Sequence, residues 1–146
     1  MRSLAIDACP APDVIDVQAL PLPAGSPTDP AWWLDRLFDI RSVPWPVRIL
    51  AGLRQLLAGV VVGADTRRTG AQVFAVDATD DREAMAHESD RHLDFWVGVA
   101  ADGGLLQVTT VVRLHGWRGR LYWAPVGALH APIVRSMMRR AMARKD

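Results

Sequence analysis

The spacing of apolar residues changes near the middle of the chain, from a helical period in the first half to alternation in the second. Trp33, Leu34 and Leu37 recur at helical spacing, which predicts an amphipathic helix. Asp29 and Pro30 stand directly before this run. Because a short acidic side chain accepts hydrogen bonds from the first helical N–H groups, and proline suits the first helical position, we expect Asp29 to cap a helix that begins at Pro30.

Two further segments flank this helix. After Pro44 and Pro46, apolar residues return at helical spacing and predict a second helix over residues 46–59. Residues 1–28 are rich in proline and small side chains, and we interpret them as an irregular arm. One short strand is predicted in this arm, near residues 14–22, and its prolines confine it to a sheet edge.

From Gln72 onward apolar and polar residues alternate, which is typical of strands. The pattern predicts strands over residues 71–79, 83–89, 92–100, 105–115 and 120–126, and the ADGG turn at 101–104 is the clearest hairpin signal. Strands joined by short turns pair antiparallel. We therefore expect a meander of about five antiparallel strands.

The alternation also assigns side chains to two faces of the sheet. In residues 92–100, one face receives Leu93, Phe95, Val97 and Val99, and the other receives His92, Asp94, Trp96 and Gly98. In the following strand, the same reasoning places Leu106 and Val108 on a core face and puts Gln107, Thr109 and Arg113 on a wetter face.

The last segment predicts a long helix with a broad apolar arc. On a helical wheel, His130, Ile133 and Met137 fall within this arc, and arginines fill the rest of the circumference. Pro132 is compatible with such a helix if it lies in the first turn. The width of the arc indicates a helix lying along a sheet, so we predict one α+β domain over residues 1–146.

Composition narrows the class of protein. The formal net charge is +1, which gives no global attraction to nucleic acid or membrane, and we expect neither as a partner. Cys9 is the single cysteine, so no disulfide forms within the chain. The N-terminus has no apolar run of signal-peptide length, and no stretch approaches the roughly 20 residues of a membrane span. We expect a soluble, cytoplasmic protein.

The predicted order of elements resembles the helix-grip architecture of the START and Bet v 1-like superfamily (the SRPBCC type). The resemblance implies a curved antiparallel sheet wrapped around the C-terminal helix, with two short helices near the N-terminus. It also implies a cavity between sheet and helix that holds an apolar ligand.

Four stretches resemble a more specific family. They are LPAGSPTDPAWW, DRHLDF, TTVVRLHGWRGRLYW and PVGALHAPIVRSMMRRA, and together they span nearly the whole chain. The family they resemble is a bacterial domain of unknown function that occurs alone or as the C-terminal part of atypical short-chain-dehydrogenase-like proteins. This chain has no glycine-rich strand–turn–helix, so we expect no NAD and no other cofactor.

Three functions remain open at this stage. The first is binding of an apolar or amphipathic small molecule between sheet and terminal helix. The second is a cyclase, isomerase or hydratase acting on a polyketide-like or aromatic substrate, with His130 and Asp94 as catalytic candidates. The third is an interaction module that forms a homodimer or docks on an oxidoreductase.

The candidate ligand-binding residues come from the central strands, the aromatic segment before the last helix and that helix itself. They are Phe95, Val97, Val108, Tyr122, Trp123, His130, Ile133 and Met137. For His130, a structural role is the alternative, in which the imidazole bonds nearby turn carbonyls. The acids and histidines of residues 87–94 lack the spacing of a metal motif, so we expect no metal site.

Overall fold

A computed structural model describes residues 3–39, 76–89 and 93–144 of the 146. The elements in this part are three helices, α1 (Leu4–Ala8), α2 (Pro30–Phe38) and α3 (Gly116–Ala143), and five strands, β1 (Val14–Pro21), β2 (Ala78–Thr79), β3 (Glu83–Ser89), β4 (Leu93–Asp102) and β5 (Leu105–Leu114). The prediction of an α+β fold is confirmed. The predicted second helix, residues 71–75 of the first meander strand, and His92 lie outside the described residues.

The five strands form one antiparallel sheet in the order β1-β5-β4-β3-β2. Each neighbouring pair from β2 to β5 is consecutive in the chain, and β4 and β5 meet through a turn at Gly103 and Gly104. Both glycines have positive φ, which glycine adopts without steric cost. The N-terminal strand β1 then closes the sheet by pairing with β5, from Val14 opposite Val112 to Pro21 opposite Leu105.

Helix α2 begins as the sequence predicts. Asp29 is its N-cap and accepts a hydrogen bond from the Ala31 N–H at 3.0 Å, and Pro30 is the first helical residue. The helix buries Trp33, Leu34 and Leu37 against one face of the sheet. This apolar core also contains Val97 and Val99 from β4, Leu106 and Val108 from β5, and Met137, Met138 and Ala141 from α3. Burial of these side chains is the main force that holds α2 and α3 on the sheet.

The opposite face of the sheet is covered near its centre by α1, which lies in the arm that we predicted to be irregular. Ala5 of α1 and Cys9, the residue directly after this helix, pack against Met85 and Val111 in a second, smaller core. The first helical N–H, that of Leu4, donates to Glu83 Oε2 at 2.7 Å, and Ser3 Oγ donates to Glu83 Oε1 at 2.8 Å. The buried Glu83 carboxylate of β3 thus accepts hydrogen bonds at the start of α1. The two partners are about 80 residues apart in the chain, so local sequence patterns do not reveal this contact.

This second core corrects our assignment of a wetter face on β5. Thr109 is 1% exposed, because it lies on the side of the sheet that α1 covers. Gln107 is half-buried and donates to Thr109 Oγ1 at 3.2 Å, and Arg113 is exposed. The sheet therefore has apolar material on both faces, and the polar alternation in β5 marks an incompletely covered face.

Helix α3 begins 16 residues before Pro132, so the prediction of a last strand over residues 120–126 is wrong. Gly116, with φ of +65°, ends the β5 connection, and the chain is helical from there to Ala143, a length of about 42 Å. Tyr122 and Trp123 have high strand propensity, but such propensity depends on context, and no strand among the described residues pairs with them. Pro132 is likewise not in the first turn; it and Pro125 are internal to the helix and face solvent.

The C-terminal end of α3 is held by a buried arginine of α2. Arg36 Nε donates to the Ala141 carbonyl at 2.8 Å, and an Nη group donates to the Arg144 carbonyl. The Arg36 guanidinium also lies 4.7 Å from the centre of the Trp32 ring. Carbonyls in the last turn of a helix have no hydrogen-bond partner within the helix. The Arg36 guanidinium supplies donors to these carbonyls of α3, and its positive charge is favourable at the negative end of the helix dipole.

The sheet is not strongly curled, and α3 packs on it along only part of its length. The expected curved sheet wrapped around the last helix is therefore absent, and the helix-grip assignment is not confirmed. Ile133 and Met137 do face the sheet: Met137 is 8% exposed and Ile133 packs against the same core. Among the described helices, none has both the length and the apolarity needed to cross a membrane.

Candidate functional site

The predicted ligand-binding residues fall into three groups. Val97, Val108 and Met137 are buried together in the core between the sheet and α2 and α3, with Phe95 and Ile133 partly buried against them. Trp123 and His130 are neighbours on α3, with ring centres 5.6 Å apart. Tyr122 lies apart from both, in an open groove with Trp117 and Leu121 on the outer side of α3. The structure thus brings most of the set to one side of the sheet, but as packed side chains.

His130 is fixed by an aspartate of β1. Its Nδ1 atom lies 3.1 Å from Asp16 Oδ2, and the two side chains are 18% and 26% exposed. An ionised carboxylate only accepts hydrogen bonds, so Nδ1 carries the hydrogen, and in the neutral ring Nε2 holds the lone pair. Nε2 makes no hydrogen bond within the described residues, and it is not among their buried, unpartnered atoms. The imidazole is therefore oriented at one nitrogen and open at the other.

Two more side chains extend this pair into a network. Gln18, two residues further along the same face of β1, donates from Nε2 to Asp16 Oδ1 at 2.7 Å. Its Oε1 accepts from Arg135 Nε of α3 at 2.6 Å. Both oxygens of Asp16 are thus engaged, one by Gln18 and one by His130. We refer to Asp16, Gln18, His130 and Arg135 as the β1–α3 network.

The Trp123 indole forms an aromatic wall beside this network. The indole lies over Gly127, where an added Cβ would stand 2.9 Å from Trp123 Nε1 and 3.3 Å from Cδ1. Since residues four apart lie on the same helix face, the missing side chain at Gly127 leaves the room that the indole occupies. His130 follows at the next turn and meets the ring at an angle of 46°.

Asp94 is not brought to His130. In the sheet register, Asp94 lies opposite Arg113 on the α1 side, whereas Asp16 lies opposite Thr110 on the α3 side. Asp94 instead accepts from Ser89 Oγ, and its Oδ2 lies 3.0 Å from Nε2 of His115. The Ser89 hydroxyl, and then His115, hold the pKa of Asp94 below its usual value, against the opposing effect of burial. The two catalytic candidates therefore belong to separate sites on opposite faces.

His87 lies on the same face as Asp94 and has a clear packing role. Its ring stacks on Trp96 with centres 4.7 Å apart and an angle of 13° between planes. Its Nε2 atom is buried without a hydrogen-bond partner in the described part of the chain. Within those same residues, no group of three or more His, Cys, Asp or Glu side chains converges as metal ligands would.

His130 was a candidate from the sequence, but its hydrogen-bond partner Asp16 and the neighbouring Gln18 were not predicted. Asp16 and Gln18 lie in a segment where we predicted only an edge strand, 114 and 112 positions away from His130 in the chain. The useful signal was the spacing of two polar residues, i and i+2, on the core-facing side of that strand. Polar side chains on a face that packs against a helix need partners, and α3 supplies them.

Comparison with known proteins gives a family but no function. No curated protein and no solved structure matches the chain. One family model matches residues 8–137, a range that includes β1, the whole sheet and the β1–α3 network. Since this match covers most of the 146 residues, the chain belongs to the family described as "Protein of unknown function (DUF2867)".

Proposed function

We propose that the domain binds a small, largely apolar molecule that carries a hydroxyl group, beside α3 at the β1 edge of the sheet. The site lies on the side of the sheet where α3 packs, at the edge formed by β1. The observation that carries the proposal is the His130 imidazole, which is oriented by Asp16 at Nδ1 and open at Nε2.

The chemistry of the ligand follows from the groups around Nε2. A lone pair at Nε2 accepts a hydrogen bond from an O–H group, such as a phenol, enol or alcohol. The Trp123 ring, 5.6 Å away, offers an apolar, planar surface on which an aromatic or conjugated ligand packs well. Ile133, one turn after His130, continues this apolar surface toward the core. The site is partly exposed, so a ligand can enter without opening the fold.

A matched pair of probe molecules tests this proposal. We expect 2-naphthol, which has the O–H group, to bind more tightly than 2-methoxynaphthalene, which has the same ring and no donor. One hydrogen bond contributes about 1 kcal/mol net, so we expect a difference of about five-fold in Kd. Calorimetry gives the two affinities, and NMR shifts of the six tryptophan indole N–H groups show which ring each probe meets.

The variants separate this site from the other exposed aromatic surface. His130→Gln should remove the preference for 2-naphthol, and Gly127→Ala should weaken both probes by displacing the Trp123 indole. Trp117→Ala is the control, because Trp117 is exposed on the outer groove. Equal affinity for the two probes in the wild type, or binding that is lost in Trp117→Ala and kept in His130→Gln, would contradict the proposal.

A further inference from the structure

We infer that His130 is a general base that removes a proton from carbon, next to a carbonyl group, in an aromatic or conjugated substrate. The inference rests on the proposed function, because it uses the same aromatic site and the same Nε2 atom, with the substrate C–H proton in the place that the O–H proton of a bound ligand takes. The arrangement of the β1–α3 network supports it in three ways, which concern the tautomer of the imidazole, the charge balance of the site and the contrast with a second histidine–aspartate pair.

The first support is the fixed tautomer. A histidine acts as a base only from a nitrogen that carries a lone pair, and Asp16 ensures that this nitrogen is Nε2. The same carboxylate stabilises the imidazolium that forms when Nε2 takes up a proton. Gln18 holds the second oxygen of Asp16 at 2.7 Å, so the carboxylate keeps its orientation while the proton moves.

The second support is charge balance. Before reaction, Asp16 and Arg135 carry opposite charges, and they are linked through Gln18. In the reaction, the substrate C–H bond breaks and its proton goes to Nε2. The electron pair moves through the carbon–carbon bond to the carbonyl oxygen and gives an enolate. The new imidazolium and the enolate cancel, so the site is neutral before and after transfer. Return of the proton to another carbon of the enolate completes an isomerisation, and no co-reactant is required.

In this reaction the enolate charge develops toward Arg135, the cation of the β1–α3 network. Its Nε is used by Gln18, and its Nη groups make no hydrogen bond within the described residues. A guanidinium with free N–H groups stabilises an oxyanion by charge-assisted hydrogen bonds. His130 lies beside Asp16 of β1, and Arg135 lies beside Gln18. These two strand residues are two positions apart, so the two α3 side chains meet β1 at points about 7 Å apart along the strand. A small carbonyl compound can span this separation.

The third support comes from the other histidine–aspartate pair. His115 binds Asp94 through Nε2 at 3.0 Å, but its side chain is 42% exposed, and Asp94 is shared with Ser89. The aromatic contacts found in the described part of the chain do not include His115. His115 therefore has a carboxylate but, among the described residues, no aromatic ring in contact with it, and it serves as an internal control.

The probe for this reaction is 5-nitrobenzisoxazole, a planar aromatic whose only reaction with a base is loss of its ring C–H proton. The proton goes to Nε2, the C–H electrons form a nitrile, and the N–O bond breaks to leave 2-cyano-4-nitrophenolate, which is coloured. We expect wild-type kcat/KM to exceed that of His130→Gln by about 100-fold, the usual contribution of a positioned base. His115→Gln should equal the wild type.

The positioning residue Asp16 gives a second readout. Asp16→Asn should lower kcat by about ten-fold or more and leave KM unchanged, since it spoils the tautomer and not the binding surface. Replacing the reacting hydrogen of the probe with deuterium should lower the wild-type kcat, because C–H cleavage is the rate-limiting step that we expect. Thermal unfolding of each variant shows whether it is folded before its rate is compared.

The outcomes separate this inference from the proposed function. If 2-naphthol binds in the His130-dependent manner and 5-nitrobenzisoxazole is turned over no faster than by His130→Gln, the base is disproved and the binding site stands. If the wild type and His115→Gln differ while His130→Gln does not, the assigned histidine is wrong. If Asp16→Asn raises KM as well as lowering kcat, Asp16 has only a structural role.

Discussion

Among the glycines in the described part of the chain, Gly98 is the one at which an added methyl group should be most costly. A Cβ at this position of β4 would lie 1.6 Å from Glu83 Oε1 and 2.7 Å from its Cδ. Those atoms belong to the buried carboxylate that binds Ser3 and the start of α1. Gly98→Ala therefore has to displace a buried charge from its partners, and we expect a loss of about 3 kcal/mol in the free energy of unfolding, measured by urea denaturation.

A double-mutant cycle distinguishes this mechanism from a general loss of strand stability. If the clash with Glu83 is the cause, Gly98→Ala should cost much less in a Glu83→Ala background, because the space is then empty. If the free-energy losses of Gly98→Ala and Glu83→Ala simply add in the double variant, Gly98 matters for another reason. No positive φ is involved at Gly98, so backbone strain does not complicate the result.

Single residues were predictable from the sequence when their role was local. Asp29 caps α2 because its acceptor and the N–H it binds are two residues apart, and the sequence shows both. His130 was recognised by its place on the apolar arc of a helix. Its bond to Asp16 was not predictable, because it depends on β1 pairing with β5 and on α3 crossing β1. Such a contact joins elements from opposite ends of the chain, and no spacing rule reports it.

At the scale of elements, the end of α3 depends on a single side chain of α2. Arg36 is 8% exposed and donates to the Ala141 and Arg144 carbonyls. Arg36→Met keeps the apolar stem but removes the donors to the buried Ala141 carbonyl and the partly buried Arg144 carbonyl, and we expect it to lower the free energy of unfolding by about 2–3 kcal/mol. Arg36→Lys should lower the free energy of unfolding by less, because lysine keeps the positive charge, although it lacks the several N–H donors of the guanidinium.

The control for Arg36 is Arg139→Met. Arg139 is exposed on α3 and belongs to the same basic end, so its removal tests the effect of charge alone. We expect a change within about 0.5 kcal/mol, as for most surface substitutions. Similar losses in both variants, measured by urea denaturation at the same salt concentration, would mean that the number of positive charges matters and that the hydrogen bonds of Arg36 do not.

Element types were predicted well where the hydrophobic period was long, as in β4, β5 and the second half of α3. They were predicted poorly where two signals competed. Residues 120–126 contain adjacent aromatics, which favour a strand, and a proline, which argues against a helix interior. The helix prevails there. The strand would have required a partner, and the edge of the sheet next to β5 is taken by β1, which comes from the opposite end of the chain.

At the scale of the whole molecule, antiparallel pairing of consecutive strands followed from the short turns. The degree of curling did not follow, since the twist and bend of a sheet come from packing that no linear pattern specifies. For this reason the sheet and the long C-terminal helix were predicted, and the wrapped geometry that would enclose a cavity was not found. The candidate site lies at a helix–strand edge and not in a closed chamber, which changes the kind of ligand and test that it suggests.

The first half of α3 exposes large apolar side chains to solvent, which is typical of a self-association surface. Trp117 and Leu121 lie one turn apart on the same side of the helix and are 68% and 67% exposed, and Leu129, two turns further along, is 60% exposed. A stripe of this kind packs well against its own copy about a two-fold axis, because each helix offers the same knobs and grooves. We propose that a second copy of this chain covers this surface in a weak dimer.

Sedimentation equilibrium over a wide range of protein concentration measures this association. We expect the average mass to rise with concentration for the wild type, and Leu121→Glu to remain monomeric, because dimerisation would bury an unpaired charge. Leu105→Glu is the matched control: Leu105 is an exposed leucine at the start of β5, away from the stripe, and the change introduces the same charge. A wild type of constant monomer mass, or equal loss of association in both variants, would show that the α3 stripe is not a self-association surface.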